Sequence, residues 1–109
     1  MFAPSVSAVE RWQSLDLAEQ LGNIGSEVSR ALNWQTKGDD VRSRSAFERG
    51  LELFDFTLAD TRWRGRQKEL ARAREVVCDY FAGANTYRST PSLLLSYFDA
   101  FALAARKNK

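Results

Sequence analysis

Residues 17–35, LAEQLGNIGSEVSRALNWQ, carry the clearest helical periodicity in the chain. Its apolar side chains recur at steps of three and four residues, the spacing that lines them along one side of an α-helix. We predict a helix over residues 14–37, with Ser14 as its N-cap and Gly38 just beyond its end. Trp12 would belong to a short preceding helix or to an extension of this one. The apolar line contains Leu17, Leu21, Ile24, Val28 and Leu32 and ends at Gln35.

Beside this line runs a second one made only of small residues, Ala18, Gly22, Gly25 and Ser29. A glycine inside a helix costs about 1 kcal/mol relative to alanine, so two of them call for compensation. Close approach of another helix is the simplest compensation, and we predict a helix contact along this line.

Three more segments carry helical periodicity, at residues 40–59, 62–82 and 91–106. Asp39 or Asp40 can cap the first of them, Asp60 or Thr61 the next, and Thr90 followed by Pro91 is a strong start for the last. The predicted inward stripes are Phe47, Leu51, Phe54 and Leu58; then Trp63, Leu70, Ala73, Val77 and Phe81; then Leu94, Phe98, Phe101 and Ala105.

The short connections favour antiparallel neighbours. We therefore predict a single all-α domain over residues 1–109, an antiparallel up-and-down bundle of about four helices.

Composition excludes several chemistries. The chain has no histidine and a single cysteine, Cys78. This rules out Ser-His-Asp and Cys-His nucleophile pairs, imidazole zinc sites and a cysteine-based structural zinc site. No Gly-rich phosphate loop is present either, so we expect no cofactor, and we expect Cys78 to be an inert core thiol.

The location follows from the same composition. A lone thiol suits a reducing compartment, and the start MFAPSVSAVERW lacks the features of a signal peptide. Charges interrupt every apolar stretch, so we expect a cytoplasmic protein with no membrane segment.

Carboxylates on two helices offer one alternative function. Glu48 and Glu52 lie along one side of the second predicted helix, and Glu75 on the third could complete a Mg²⁺ site for a nucleotide-processing enzyme. A solvated charged face is the favoured interpretation, because charged residues are mostly exposed.

Basic residues offer another alternative. Arg64, Lys68 and Arg72 share a face of the third predicted helix and could bind nucleic acid. The formal net charge of only +2 makes this the less favoured interpretation. Acidic residues concentrate at 38–60 and basic ones after 60, a polarity that contacts between helices or between copies of the chain could satisfy.

Two charges fall where the helical wheel expects apolar residues. Arg74 has Leu70 and Val77 among its neighbours, and Asp55 has Leu51 and Leu58. A buried guanidinium needs a carboxylate, so we predict an Arg74–Asp55 ion pair that fixes helix register or forms the polar floor of a pocket. Asp79, an acid in a last helical turn, is expected to accept hydrogen bonds from the loop after it.

The runs GNIGSEVSRALNW, FERGLELFDFTLAD and REVVCDYFAGANTY together resemble a family of short, uncharacterised all-α proteins of bacteria and archaea. The resemblance covers most of the chain and implies no activity. At the level of architecture alone the chain is similar to HEPN-type bundles, whose nucleases use an Arg-x4-6-His element that a chain without histidine cannot supply.

The sequence thus favours a non-catalytic interaction module that binds itself or another protein. The small-residue line and the acidic and basic halves of the chain motivate this interpretation.

Overall fold

The computed structural model describes residues 6–107, and every regular element in that range is helical. The predicted all-α bundle is confirmed, with four substantial helices preceded by a short one. The first five residues, on which part of the signal-peptide argument depends, lie outside the described range. The elements are α1 (Val6–Gln13), α2 (Leu17–Thr36), α3 (Asp40–Ala59), a 3₁₀ segment (Thr61–Arg66), α4 (Gln67–Ala82) and α5 (Pro91–Lys107).

Helix α2 begins later than predicted, at an aspartate rather than a serine. Asp16 Oδ1 accepts a hydrogen bond from the Glu19 amide at 2.8 Å, and Glu19 Oε1 accepts one from the Asp16 amide at 3.0 Å. This reciprocal capping box satisfies two backbone donors at once, which a lone serine cannot do. Ser14 was therefore the wrong N-cap, and its hydroxyl instead donates to the Arg11 carbonyl at 2.7 Å. Trp12 belongs to the separate helix α1.

The turn between α2 and α3 follows the prediction. Gly38 adopts a φ of +78°, the left-handed region that favours glycine. Asp39 then caps α3 by accepting from the Arg42 amide at 3.0 Å. The turn reverses the chain, and α3 packs antiparallel to α2, with Ser43 bonded to Ala31 and Arg49 to Glu27.

Helix α2 is the centre of the bundle, with α3 and α5 packed against it and α4 packed on α3. The five apolar residues predicted to face inward are all buried, but Gln35 is exposed and accepts a hydrogen bond from Tyr80. A helix buried on two sides gives the strongest apolar pattern, which is why this one was the clearest in the sequence.

The inward face of α3 is rotated from the predicted stripe. Phe47 and Phe54 are buried, but Leu51 and Leu58 are only half-buried. Small and polar side chains take the places against α2, where the Ser43 hydroxyl donates to the Ala31 carbonyl at 2.8 Å. These buried small and polar residues of α3 are Ser43, Ala46, Gly50 and Thr57.

The third predicted helix is divided. The chain forms a 3₁₀ segment from Thr61 to Arg66, in which Trp63 has non-helical φ and ψ of −106° and 23°, and α4 begins only at Gln67. Asp60 caps this segment by accepting from the Arg62 amide at 3.1 Å. Gly65, a poor helix former, and the anchoring of Trp63 described below favour the tighter turn.

The loop after α4 is held by Asp79. Its Oδ1 accepts from the Thr86 amide at 2.8 Å and its Oδ2 from the Tyr87 amide at 2.9 Å, as the sequence predicted. Thr90 then caps α5, accepting from the Leu93 amide at 3.2 Å, with Pro91 in the first turn. Across residues 6–107, no helix has both the length and the apolar character needed to cross a bilayer.

Candidate functional site

The ion pair between Arg74 and Asp55 is present, but it lies at the surface. Arg74 Nε is 3.0 Å from Asp55 Oδ1, linking α4 to α3. Arg74 is half-buried, with a side chain that is 33% exposed, but the Asp55 side chain is 58% exposed, so the predicted inward orientation is wrong for Asp55. The rotation of α3 explains the error, because it turns Asp55 toward solvent. The pair therefore links α4 to α3 at the surface.

Cys78 lies beside this pair, 3.7 Å from Arg74 Nη1. Burial raises the pKa of the thiol, and the nearby guanidinium only partly opposes that effect. A thiol with a raised pKa carries little thiolate near neutral pH, so Cys78 is a poor nucleophile.

The small-residue line of α2 makes a close helix contact at one position. A Cβ at Gly25 would lie 3.5 Å from Phe98 Cβ of α5, whereas one at Gly22 would have nothing within 4 Å. Ala18 is buried and Ser29 half-buried. The prediction of a tight contact along the whole line is therefore wrong at Gly22, which is exposed.

The structure does not bring the carboxylates of the Mg²⁺ alternative together. Glu48 and Glu52 are exposed on α3, and Glu75 on α4 accepts a hydrogen bond from the Tyr87 hydroxyl at 3.0 Å. Within the described part of the chain, no group of three acidic or cysteine side chains is placed to hold a metal ion.

The basic residues separate into two places. Arg64 is exposed in the 3₁₀ segment, while Lys68 and Arg72 lie one turn apart on α4 and line a groove between α4 and α5. The α4–α5 groove has a volume of about 520 Å³. What we call its α4 wall consists of Arg66, the last residue of the 3₁₀ segment, and of Lys68, Glu69 and Arg72 of α4. Its α5 wall consists of Tyr97, Ala100, Phe101 and Ala104.

The α5 wall of the groove is apolar and uneven. The rings of Tyr97 and Phe101 lie one turn apart with centroids 6.3 Å from each other. Ala100 and Ala104, also one turn apart, leave space beside them. Burial raises the pKa of Tyr97, opposed by the nearby Arg72, so its hydroxyl stays neutral at physiological pH.

The α4 wall is charged and partly self-paired. The Arg66 guanidinium lies 5.7 Å from the centroid of the Phe101 ring and 3.1 Å from Glu69 Oε2. Arg72 lies over the Tyr87 ring at 5.6 Å, with its Nε 3.8 Å from Glu75 Oε2. Stacking on these rings fixes the two guanidinium groups at the rim of the groove, where they remain positively charged.

Exposed apolar side chains continue the α5 wall beyond the groove. Leu93 is 58% exposed and Leu103 is 51% exposed. On the helix, Leu93 is four residues before Tyr97, and Leu103 is three residues after Ala100, so both neighbour the groove wall. Together with the groove, they form a contiguous amphipathic surface, and large exposed apolar patches mark binding sites.

A buried polar cluster that the sequence analysis missed joins α1, α2, the 3₁₀ segment and Asp60, the residue between α3 and that segment. Gln20, with no exposed surface, donates from Nε2 to the Trp12 carbonyl at 2.9 Å and to Asp60 Oδ2 at 3.2 Å. Its Oε1 accepts from Trp63 Nε1 at 3.0 Å. Arg62 holds the pKa of Asp60 below its usual range, mainly through side-chain hydrogen bonds.

A second buried group that was missed is Glu27 of α2, which pairs with Arg30 and Arg49. Polar residues amid apolar neighbours, the signal applied to Arg74, would also have singled out Gln20 and Glu27. Every described buried polar side-chain atom has a hydrogen-bond partner, so both clusters are complete structural units with no group left for a ligand.

Comparison with protein-family models, with curated proteins and with solved structures gave no match to this chain. The class that the fold defines is an all-α bundle, and the family resemblance of its sequence stays a prediction.

Proposed function

We propose that the protein is a non-catalytic helical interaction module that self-associates or binds a protein partner, and that the α4–α5 groove is its docking surface. The observation that carries this proposal is the continuity of the groove with Leu93 and Leu103, which are more exposed than the other two leucines of the helix, Leu94 and Leu95. Helix-lined grooves with an apolar floor and a charged rim suit peptide segments.

The two alternatives have weaker support. Glu48, Glu52 and Glu75 do not converge, so no observation favours Mg²⁺-dependent chemistry. For nucleic acid, the groove combines Lys68 and Arg72 with aromatic rings, but Arg64 lies elsewhere and Glu69 places a carboxylate where phosphates would pass.

The proposal is tested by filling the groove. Ala100→Trp places a large side chain on the apolar α5 wall. Ala59→Trp, at an exposed alanine of α3, is the matched control. Sedimentation of the whole chain over a range of concentrations and quantitative pull-downs from its own cells would then be compared. We expect the Ala100 variant alone to lose the self-association or the partner. A wild-type chain that stays monomeric, with the same captured proteins for both variants, would refute the proposal.

A further inference from the structure

The dimensions of the α4–α5 groove limit what can fill it. Its α5 wall spans residues 97–104 and its α4 wall residues 66–72. At a rise of 1.5 Å per residue each wall is about 10 Å long, close to two helical turns. A segment of that length presents one bulky anchor and side chains three or four residues to either side of it. The space over Ala100 and Ala104, bordered by the rings of Tyr97 and Phe101, accommodates one such anchor.

The charge of the groove selects the chemistry around that anchor. Its lining includes three cationic side chains and one carboxylate, Glu69. Glu69 is already paired with Arg66, and Arg72 has Glu75 nearby. Among the described residues, Lys68 has no ion-pair partner. An occupant with carboxylates beside its anchor would supply the missing partner, and a basic occupant would be repelled.

From these observations we infer that the occupant is an acidic amphipathic helix of another protein. Its bulky apolar side chain lies over Ala100 and Ala104, and carboxylates one turn away pair with Lys68 and Arg72. Lys68 is the principal docking cation, because it can pair with the occupant without first breaking an ion pair within the chain. This inference rests on the proposed function and names the partner of the same groove.

A second copy of the chain fits the groove less well. Two grooves meeting face to face would bring together two sets of the same cations. The acidic outer face of α3 carries Glu48 and Glu52, but its exposed apolar residue, Val41 at 81%, has Arg44 one turn away. That arginine would approach Lys68 and Arg72 in the groove. Charge complementarity therefore favours a different protein.

The test uses the whole chain and a fluorescein-labelled helical peptide of about 16 residues, long enough to form helix in water. The peptide has leucine along one face and glutamate on both flanks, and a neutral version replaces each glutamate with glutamine. Fluorescence anisotropy measures the affinity of both peptides for the wild type and three variants. Lys68→Glu reverses the docking charge, Glu69→Gln removes the opposing one, and Arg44→Glu is a control with the same charge change outside the groove.

We expect the acidic peptide to bind more tightly than the neutral one. Its affinity should fall as the salt concentration rises from about 50 to about 500 mM. Lys68→Glu should lower the affinity for the acidic peptide about tenfold, and Glu69→Gln should raise it about twofold. Arg44→Glu should have no comparable effect on that affinity. Circular dichroism of each variant checks that the fold is retained. Because the two substitutions at neighbouring positions should change the affinity in opposite directions, an effect of charge in the groove can be distinguished from a general loss of structure.

Three outcomes would overturn the inference. If both peptides bind the wild type equally and neither binds the Ala100→Trp variant, the groove is still a docking surface, but the inference of an acidic partner is refuted. A wild-type dimer broken by Ala100→Trp would identify a second copy as the occupant and leave the proposed function standing. Binding of a single-stranded oligonucleotide but of neither peptide, sensitive to Lys68→Glu, would contradict both the inference and the proposed function.

Discussion

Replacing Gln20 with leucine tests whether the buried polar cluster holds the bundle together. The Gln20 side chain has no exposed surface. It makes hydrogen bonds to Trp12 of α1, to Asp60 directly after α3 and to Trp63 of the 3₁₀ segment. Leucine has a similar volume and can make none of these bonds. The substitution therefore removes the polar links while keeping the site filled.

The cost can be worked out bond by bond. The Trp12 carbonyl still accepts from the Leu15 amide at 3.1 Å, and Asp60 keeps its bonds to Arg62. The half-buried Trp63 indole loses its partner. The long bond from Gln20 Nε2 to the Leu15 carbonyl, at 3.5 Å, is lost as well, but that carbonyl still accepts from Arg62. The four lost bonds, only one of which leaves a donor unsatisfied, cost about 2–3 kcal/mol. For a chain of this size that lowers the melting temperature by about 10–15 °C.

Urea unfolding followed by tryptophan fluorescence and by circular dichroism measures this loss. Gln13→Leu, the same change at an exposed position of α1, is the control and should alter stability by less than about 0.5 kcal/mol. Equal stability of the two variants would refute the reasoning. Gln20→Glu adds a second test: it should be more destabilising at pH 7 than at pH 4, because only the protonated acid can donate toward Asp60.

Three further substitutions have expected outcomes. Gly22→Ala should stabilise the protein by about 0.5–1 kcal/mol in thermal unfolding, because the position is helical and open; a loss of stability would show that a neighbour needs the glycine. Asp55→Asn should cost no more than about 1 kcal/mol, as for other exposed ion pairs, and a cost above about 2 kcal/mol would contradict the exposed geometry. The pKa of Asp60 is lowered by folding, so its contribution to stability is complete above the unfolded pKa of about 3.9 and is lost as pH falls through the lower folded value. Asp60→Asn should therefore reduce the slope of unfolding free energy against pH below about pH 4, and an unchanged slope would contradict the assignment.

The sequence predicted the helices well where burial produces a strong apolar pattern. Helix α2 is buried on two sides, and the five apolar residues of its inward line were identified correctly, although Gln35 at the end of that line is exposed. Helix α3 was misoriented because its contacts with the rest of the bundle use Ser43 and Gly50 against α2 and Thr57 against Trp12 of α1, which an apolar pattern does not register. The orientation of Asp55 was wrong for the same reason.

The groove could be predicted only in part. Lys68 and Arg72 were singled out by their spacing, but which helix faces them depends on how α4 and α5 are placed, and neither periodicity contains that information. A usable signal was present in α5, where Leu93 and Leu103 lie off the inward stripe. Under the proposed function, these leucines belong to the docking surface.

The groove stays open because each of its walls is fixed to a different helix. The α4 wall is tied to α3 by the ion pair between Arg74 and Asp55 and by ring contact between Phe81 and Phe47.

The α5 wall is fixed to α2, where Phe98 packs on Gly25. Asp79 holds the connecting loop between the two helices through two backbone amides. A groove formed before binding requires little reorganisation of its walls, so more of the interaction free energy appears as affinity. Loosening the loop with Asp79→Ala should therefore weaken peptide binding even though this residue does not line the groove.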